Sequence, residues 1–148
     1  MNQFELEMKR LKCTCDHDIL RIERNKNGIR RAGNRMIWSL KSECYAKING
    51  LETERLGLKK KLYSITDMKV RFEMMQRVSE LERDIRLLKV SRDIHIQEEQ
   101  GELAARMEEL DIEIRGLRNE RDNKLLEIKE RYIEWIENHK KSDNHEEI

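Results

Sequence analysis

Residues 102–138 read ELAARMEELDIEIRGLRNERDNKLLEIKERYIEWIEN. Leu103, Met107, Leu110, Ile114, Leu117, Arg121, Leu125, Ile128, Tyr132 and Trp135 recur in steps of three and four. Such steps return to the same side of an α-helix, so the segment predicts one helix with a single apolar seam. The intervening positions alternate acidic and basic side chains, the pattern of a water-facing coiled-coil exterior. A seam that repeats about twice in seven residues needs another helix to cover it.

Working outward, the same pattern recurs upstream. Ile37, Leu40, Cys44, Ile48, Leu51, Arg55, Leu58, Leu62 and Ile65 form a second stripe, which runs straight through the turn-prone Asn49-Gly50 pair. Met68, Phe72, Met75, Val78, Leu81, Ile85, Leu88 and Arg92 form a third, with Phe72, Met74 and Met75 making a soft apolar patch. Phe4, Met8, Leu11, Cys15, Ile19 and Ile22 form a shorter one near the N-terminus, opened by an Asn2…Glu5 capping box.

Between the stripes lie three candidate interruptions. Asn25–Asn34 holds Gly28 and Gly33 among asparagines and reads as a break. Ser64-Ile-Thr-Asp67 offers Ser64 or Thr66 as a helix cap, with Asp67 favoured near the positive helix end. Gln97–Gly101 is polar and reads either as a tight turn or as a solvated stretch of one continuous helix.

The expected fold is therefore all-α: an elongated antiparallel helical bundle or coiled coil with a short N-terminal helix. Residues 1–34 form that helix and the basic break, 35–138 the long-helix bundle, and 139–148 a polar flexible tail. Segments 35–64, 67–98 and 102–138 match in length, which favours antiparallel packing. The alternative joins 67–138 into one helix that needs a partner chain. Leu103, Leu110, Leu117, Ile128 and Trp135 are the expected self-assembly residues, and a homodimer is expected in either case.

Composition narrows the function. In 148 residues, 41% are charged, 37% hydrophobic and 5% aromatic, and proline is absent, so a thick globular core is not expected. No apolar run approaches a membrane span, and charges interrupt the first fifteen residues, so no signal peptide is expected. The mixed charges do not suit an interfacial helix either, so no membrane partner is expected. An odd set of cysteines without a secretory signal argues for a reducing, cytoplasmic setting.

The neutral total hides a gradient. Residues 1–50 carry eleven basic and six acidic groups, or +5; residues 101–148 carry nine and fourteen, or −5. Arg21, Arg24, Lys26, Arg30, Arg31 and Arg35 crowd the break and could contact a partner or phosphates. Nearby Trp38 reads as a helix-interior residue.

The seam arginines Arg55, Arg92 and Arg121 could fix register if paired. Cys13, Cys15, His17 and Cys44 contain enough donors for zinc, but the two-residue cysteine spacer is missing, so no metal or other cofactor is assigned. No phosphate loop, His-Glu-x-x-His or nucleophile elbow is present, and a thin bundle offers no deep pocket, so neither catalysis nor a small-molecule substrate is expected. What remains is a non-catalytic adaptor or inhibitor. It would bind a protein or nucleoprotein complex through helix faces and charge. The alternative is a nucleic-acid-binding dimer that uses residues 21–35.

Overall fold

The structure, a computed structural model, describes residues 2–146, with side chains for residues 2–141. Among them two helices account for nearly everything: α1, Gln3–Leu62, and α2, Met68–Glu146. A reversal at residues 63–67 joins them, and they pack against each other as an all-α hairpin.

The ends of the helices have local causes. Asn2 caps α1: its Oδ1 accepts from the Glu5 backbone N–H at 2.8 Å, while Glu5 Oε2 accepts from the Asn2 N–H at 3.3 Å. This is the reciprocal box that the sequence predicts. At the other end, Ser64 donates through both its backbone N–H (3.1 Å) and its hydroxyl (3.0 Å) to the Lys61 carbonyl, closing α1. Lys59, Lys60 and Lys61 lie in that last turn, where cations oppose the negative end of the helix dipole. The cap of α2 is Asp67, not Ser64 or Thr66. Its side chain accepts from the Lys69 N–H at 3.0 Å and its carbonyl from the Arg71 N–H at 2.9 Å.

The expected break at 25–34 is helix, and at 97–101 the continuous-helix alternative holds. Residues 25–34 lie inside α1 and residues 97–101 inside α2, and no glycine has a positive φ. The reason is tertiary. Half-buried and buried positions continue through the first as Ile22, Lys26, Ile29, Gly33 and Ile37, and through the second as Ile96, Glu99 and Leu103. A glycine costs a helix only about 1 kcal/mol, and packing along a seam outweighs that. At Gly33 the missing side chain serves the packing. A Cβ built there would lie 2.7 and 2.9 Å from the two methyl carbons of Leu103, so Leu103 sits where a larger residue would project.

Residues 68–138 thus belong to one helix, as in the alternative reading, and α1 of the same chain packs against it. The expected tail overlaps α2, which continues through Glu146. The side chains from residue 142 onward, and residues 147 and 148 altogether, lie outside the described residues.

The chain divides into two compact units, Met1–Gly28 with Arg106–Ile148, and Ile29–Ala105. In the first, Ile19 and Ile22 on α1 and Leu110, Ile114 and Ile128 on α2 form the buried core. Ion pairs Glu7–Arg131, Asp16–Arg121 and Glu23–Arg118 fix the antiparallel direction, since α2 numbers fall as α1 numbers rise. In the second, Ile37, Ile48, Val78, Leu81 and Ile85 are buried, with Leu81 fully enclosed. There Glu52–Lys89 and Arg55–Glu82 run in the same antiparallel sense.

The seam follows the ordinary helical period of 3.6 more closely than a strict heptad. Runs such as Leu117, Arg121, Leu125 and then Ile128, Tyr132, Ile136 contain two consecutive steps of four. Ile136 therefore takes the seam position that a heptad would give to Trp135, and Trp135 is 45% exposed.

Gly28, Gly50, Gly57, Gly101 and Gly116 have open space where a Cβ would stand. Alanine at each should raise stability by roughly 0.5–1 kcal/mol. Gly33→Ala should fall short of that gain, and Gly33→Val should cost about 1–3 kcal/mol. Thermal unfolding followed by circular dichroism reads the contrast.

Candidate functional site

The second unit carries an apolar cleft. Trp38, Lys41, Ser42 and Tyr45 on α1 and Arg92, Asp93 and Ile96 on α2 enclose about 640 Å³. Trp38 and Tyr45 lie two turns apart, one residue beyond the seam positions Ile37 and Cys44, and therefore point out of the hairpin. They are 69% and 70% exposed. Trp38 is not a helix-interior residue, correcting the sequence reading. The usable signal was phase: a tryptophan next to a seam isoleucine cannot share its face. Half-buried Ile96 lines the cleft from α2, and Arg92 Nε donates to Asp93 Oδ1 at 3.1 Å. The cleft thus has an aromatic wall, an aliphatic wall, and Lys41 and the Arg92–Asp93 pair at its polar edge.

A second cleft, of about 560 Å³, lies in the first unit between Glu23 and Lys26 of α1 and Glu108, Asp111, Ile114, Arg115 and Arg118 of α2. Its charges are matched. Lys26 pairs with Asp111, Arg118 with Glu23 at 3.4 Å, and Arg115 with Glu108 at 3.2 Å. Such a surface has little charge left over for a ligand.

The basic cluster divides. Arg21 and Arg24 belong to the first unit and line a small hollow with His17 and Leu20. Lys26 is a seam residue paired across to α2. Arg30 is exposed and has a partner of its own. Arg31 and Arg35 are exposed one turn apart, with Arg35 Nε donating to the Arg31 carbonyl at 3.4 Å. Because these residues sit on a helix, the amides near Gly28 and Gly33 are not presented to phosphates as a loop would present them.

The self-assembly candidates lie mostly within the hairpin. Leu110 and Ile128 are buried, and Leu103 and Leu117 half-buried, in the seam beneath α1. Trp135 packs on Phe4, ring centroids 6.1 Å apart, and on Tyr132 at 6.3 Å; Phe4 and Tyr132 are themselves 5.3 Å apart. His139 lies against Trp135 at 3.9 Å.

Two of the three seam arginines bridge the helices. Arg121 reaches Asp16 at 2.9 Å and also Asp122 at 3.3 Å. Arg55 reaches Glu82 at 3.7 Å, although its Nε is buried without a hydrogen-bond partner. Arg92 does not bridge; its pair is the neighbouring Asp93.

Cys13 and His17 are exposed, Cys15 and Cys44 half-buried in the seam, and all three cysteines are free. Cys44 belongs to the other unit, and among the described residues no three His, Cys, Asp or Glu side chains group to hold a metal ion.

Comparison with protein-family models, with curated proteins and with solved structures finds no match for the chain.

Glu82 gives the hairpin a pH dependence. Lys59 donates to it at 3.1 Å and, by hydrogen bond and charge, holds its carboxyl below the ordinary range; Arg55 and Arg86 add to this and desolvation opposes it. The unfolded chain takes up that proton first. The stabilisation is therefore complete above the ordinary carboxylate range, about 4.3, and is lost as pH falls through the lower folded value. Thermal midpoints measured from neutral pH down to about pH 3 should decline, less steeply in Glu82→Gln. Added salt should shrink the difference, since the pair is solvent-screened.

Proposed function

We propose that the chain is a non-catalytic interaction protein, an adaptor or inhibitor that grips another protein through the aromatic cleft on its second unit. The observation that carries this is the pair Trp38 and Tyr45, held in solvent beside Ile96 on rigid helix. Large aromatic side chains on one helix face, flanked by charge, suit a helix laid along the groove.

The wider surface supports the same reading. Among the described residues, ten hydrophobic side chains are buried and eighteen large ones are exposed, so the hairpin alone leaves much apolar area wet. Self-association then has a surface other than the seam. Leu87, Val90 and Ile94 lie exposed on the outer side of α2, followed at helical spacing by Gly101 and Ala105, whose small size admits a close neighbour. A homodimer formed there leaves the Trp38 cleft on a different face. Free cysteines fit a reducing, intracellular setting.

A photo-crosslinking residue in place of Trp38, expressed in the native cell, should give discrete adducts with one protein species. The same residue at exposed Glu43, outside the cleft, should not. Adducts absent from position 38, or equal at both positions, would remove the cleft from consideration.

The second reading is nucleic-acid contact through Arg31 and Arg35, favoured by their exposure on one face. It requires salt-sensitive binding of duplex or single-stranded nucleic acid. Replacing Arg30, Arg31 and Arg35 with Ala should abolish that binding. If the parent chain binds neither form at low salt, this reading fails.

A further inference from the structure

The reversal between α1 and α2 brings together residues that are apart in sequence, all within the second unit. Lys59, Lys60 and Lys61 end α1, and Lys69 and Arg71 begin α2. Lys59 is paired with Glu82, but Lys60, Lys61, Lys69 and Arg71 are exposed and have no ion-pair partner among the described residues. Of the nearby acids, Glu73 is exposed without an ion pair among the described residues, one carboxylate against these four cations, and the others are engaged. Asp67 caps α2, Glu82 holds Lys59 and Arg55, and Glu54 holds Arg77 at 3.2 Å.

Among these cations stand bare apolar side chains. Tyr63 in the turn is 92% exposed, and Met68 78%, Phe72 66% and Met75 53%. The last three follow as i, i+4 and i+7, on one outward face of the first turns of α2.

We propose that this tip docks on the surface of an anionic lipid bilayer. The charge calls for a negative counter-surface, and the side chains between the charges call for an apolar layer directly beneath it. A bilayer with acidic headgroups supplies both within the reach of a side chain. Nucleic acid supplies the anions, but only Tyr63 and Phe72 could stack on its bases, leaving both methionines without an apolar layer. No helix among the described residues is long and apolar enough to cross a membrane, so the contact is with the surface. The inference does not depend on the cleft reading above.

Sedimentation of the full chain with vesicles is the test. The parent should pellet with vesicles of phosphatidylcholine containing about 30% phosphatidylserine, and stay in solution with phosphatidylcholine alone. Lys60→Glu, Lys61→Glu and Lys69→Glu together should weaken binding about 100-fold. Met68→Ser with Phe72→Ser should weaken it about tenfold, with helicity unchanged because both side chains face solvent. Tyr63→Trp should gain fluorescence quenching by brominated lipid beyond that of the parent, a readout that stands even if a multiple variant loses helicity. The proposal is overturned if the parent ignores anionic vesicles or if Met68→Ser with Phe72→Ser binds as the parent does. Tighter binding of single-stranded nucleic acid than of vesicles, or a Tyr63→Trp variant that shows no added quenching, would overturn it equally.

Discussion

Covering one apolar seam with another is the constraint on which the rest of this hairpin depends. A helix of 79 residues with a stripe down one side cannot stand alone in water, and α1 supplies the matching stripe from the same chain. The reversal at 63–67 makes that possible. Ser64 seals one helix end and Asp67 opens the next within four positions, so each end finds a local partner for one of its terminal backbone groups. Leu81, fully enclosed close to the reversal, shows where the two stripes first meet tightly.

Once the seams are apposed, charge selects the sliding position. Apolar side chains spaced three and four apart fit in more than one register, but ion pairs do not. In the first unit, Asp16–Arg121 and Lys26–Asp111 span the seam with opposite polarity, so a slip would set unlike partners apart and bring like ones closer. Arg55 performs the same service in the second unit with a poorer fit. It pairs with Glu82 while its Nε stays buried and unsatisfied, the pattern of a residue that specifies alignment at some loss of stability.

The periodicity of the sequence made the helices and their seam legible, including the passage through Asn49-Gly50 and the capping box at Asn2. At Asn25–Asn34 the local preferences of glycine and asparagine point to a break, and the seam overrides them. Lys26, Ile29 and Gly33 already continue the steps of three and four, and Gly33 is a contact point for Leu103 rather than a breaker. Trp135 differs for a related reason: the helix keeps its own period rather than a heptad, and the drift exchanges Trp135 for Ile136. The partner helix itself was beyond single-chain periodicity, since a seam is the same whether its cover comes from the same chain or another.

Sites were less legible than the fold because they depend on what the seam leaves outside. Trp38 next to Ile37 reads as interior by composition and exterior by phase, and the burial of Ile37 agrees with the phase. The tip is a sharper case. Along the chain, Lys59–Lys61 and Lys69–Arg71 are short basic runs, each unremarkable as a solvated helix end. Neither forms one long basic face by itself. Their field adds only when α1 and α2 turn back on each other, and by then Asp67, Glu82 and Glu54 are occupied in a cap and cross-helix pairs. The reversal therefore gathers unpaired cations from both helix ends in one place, where Tyr63, Met68 and Phe72 have no opposing helix to cover them.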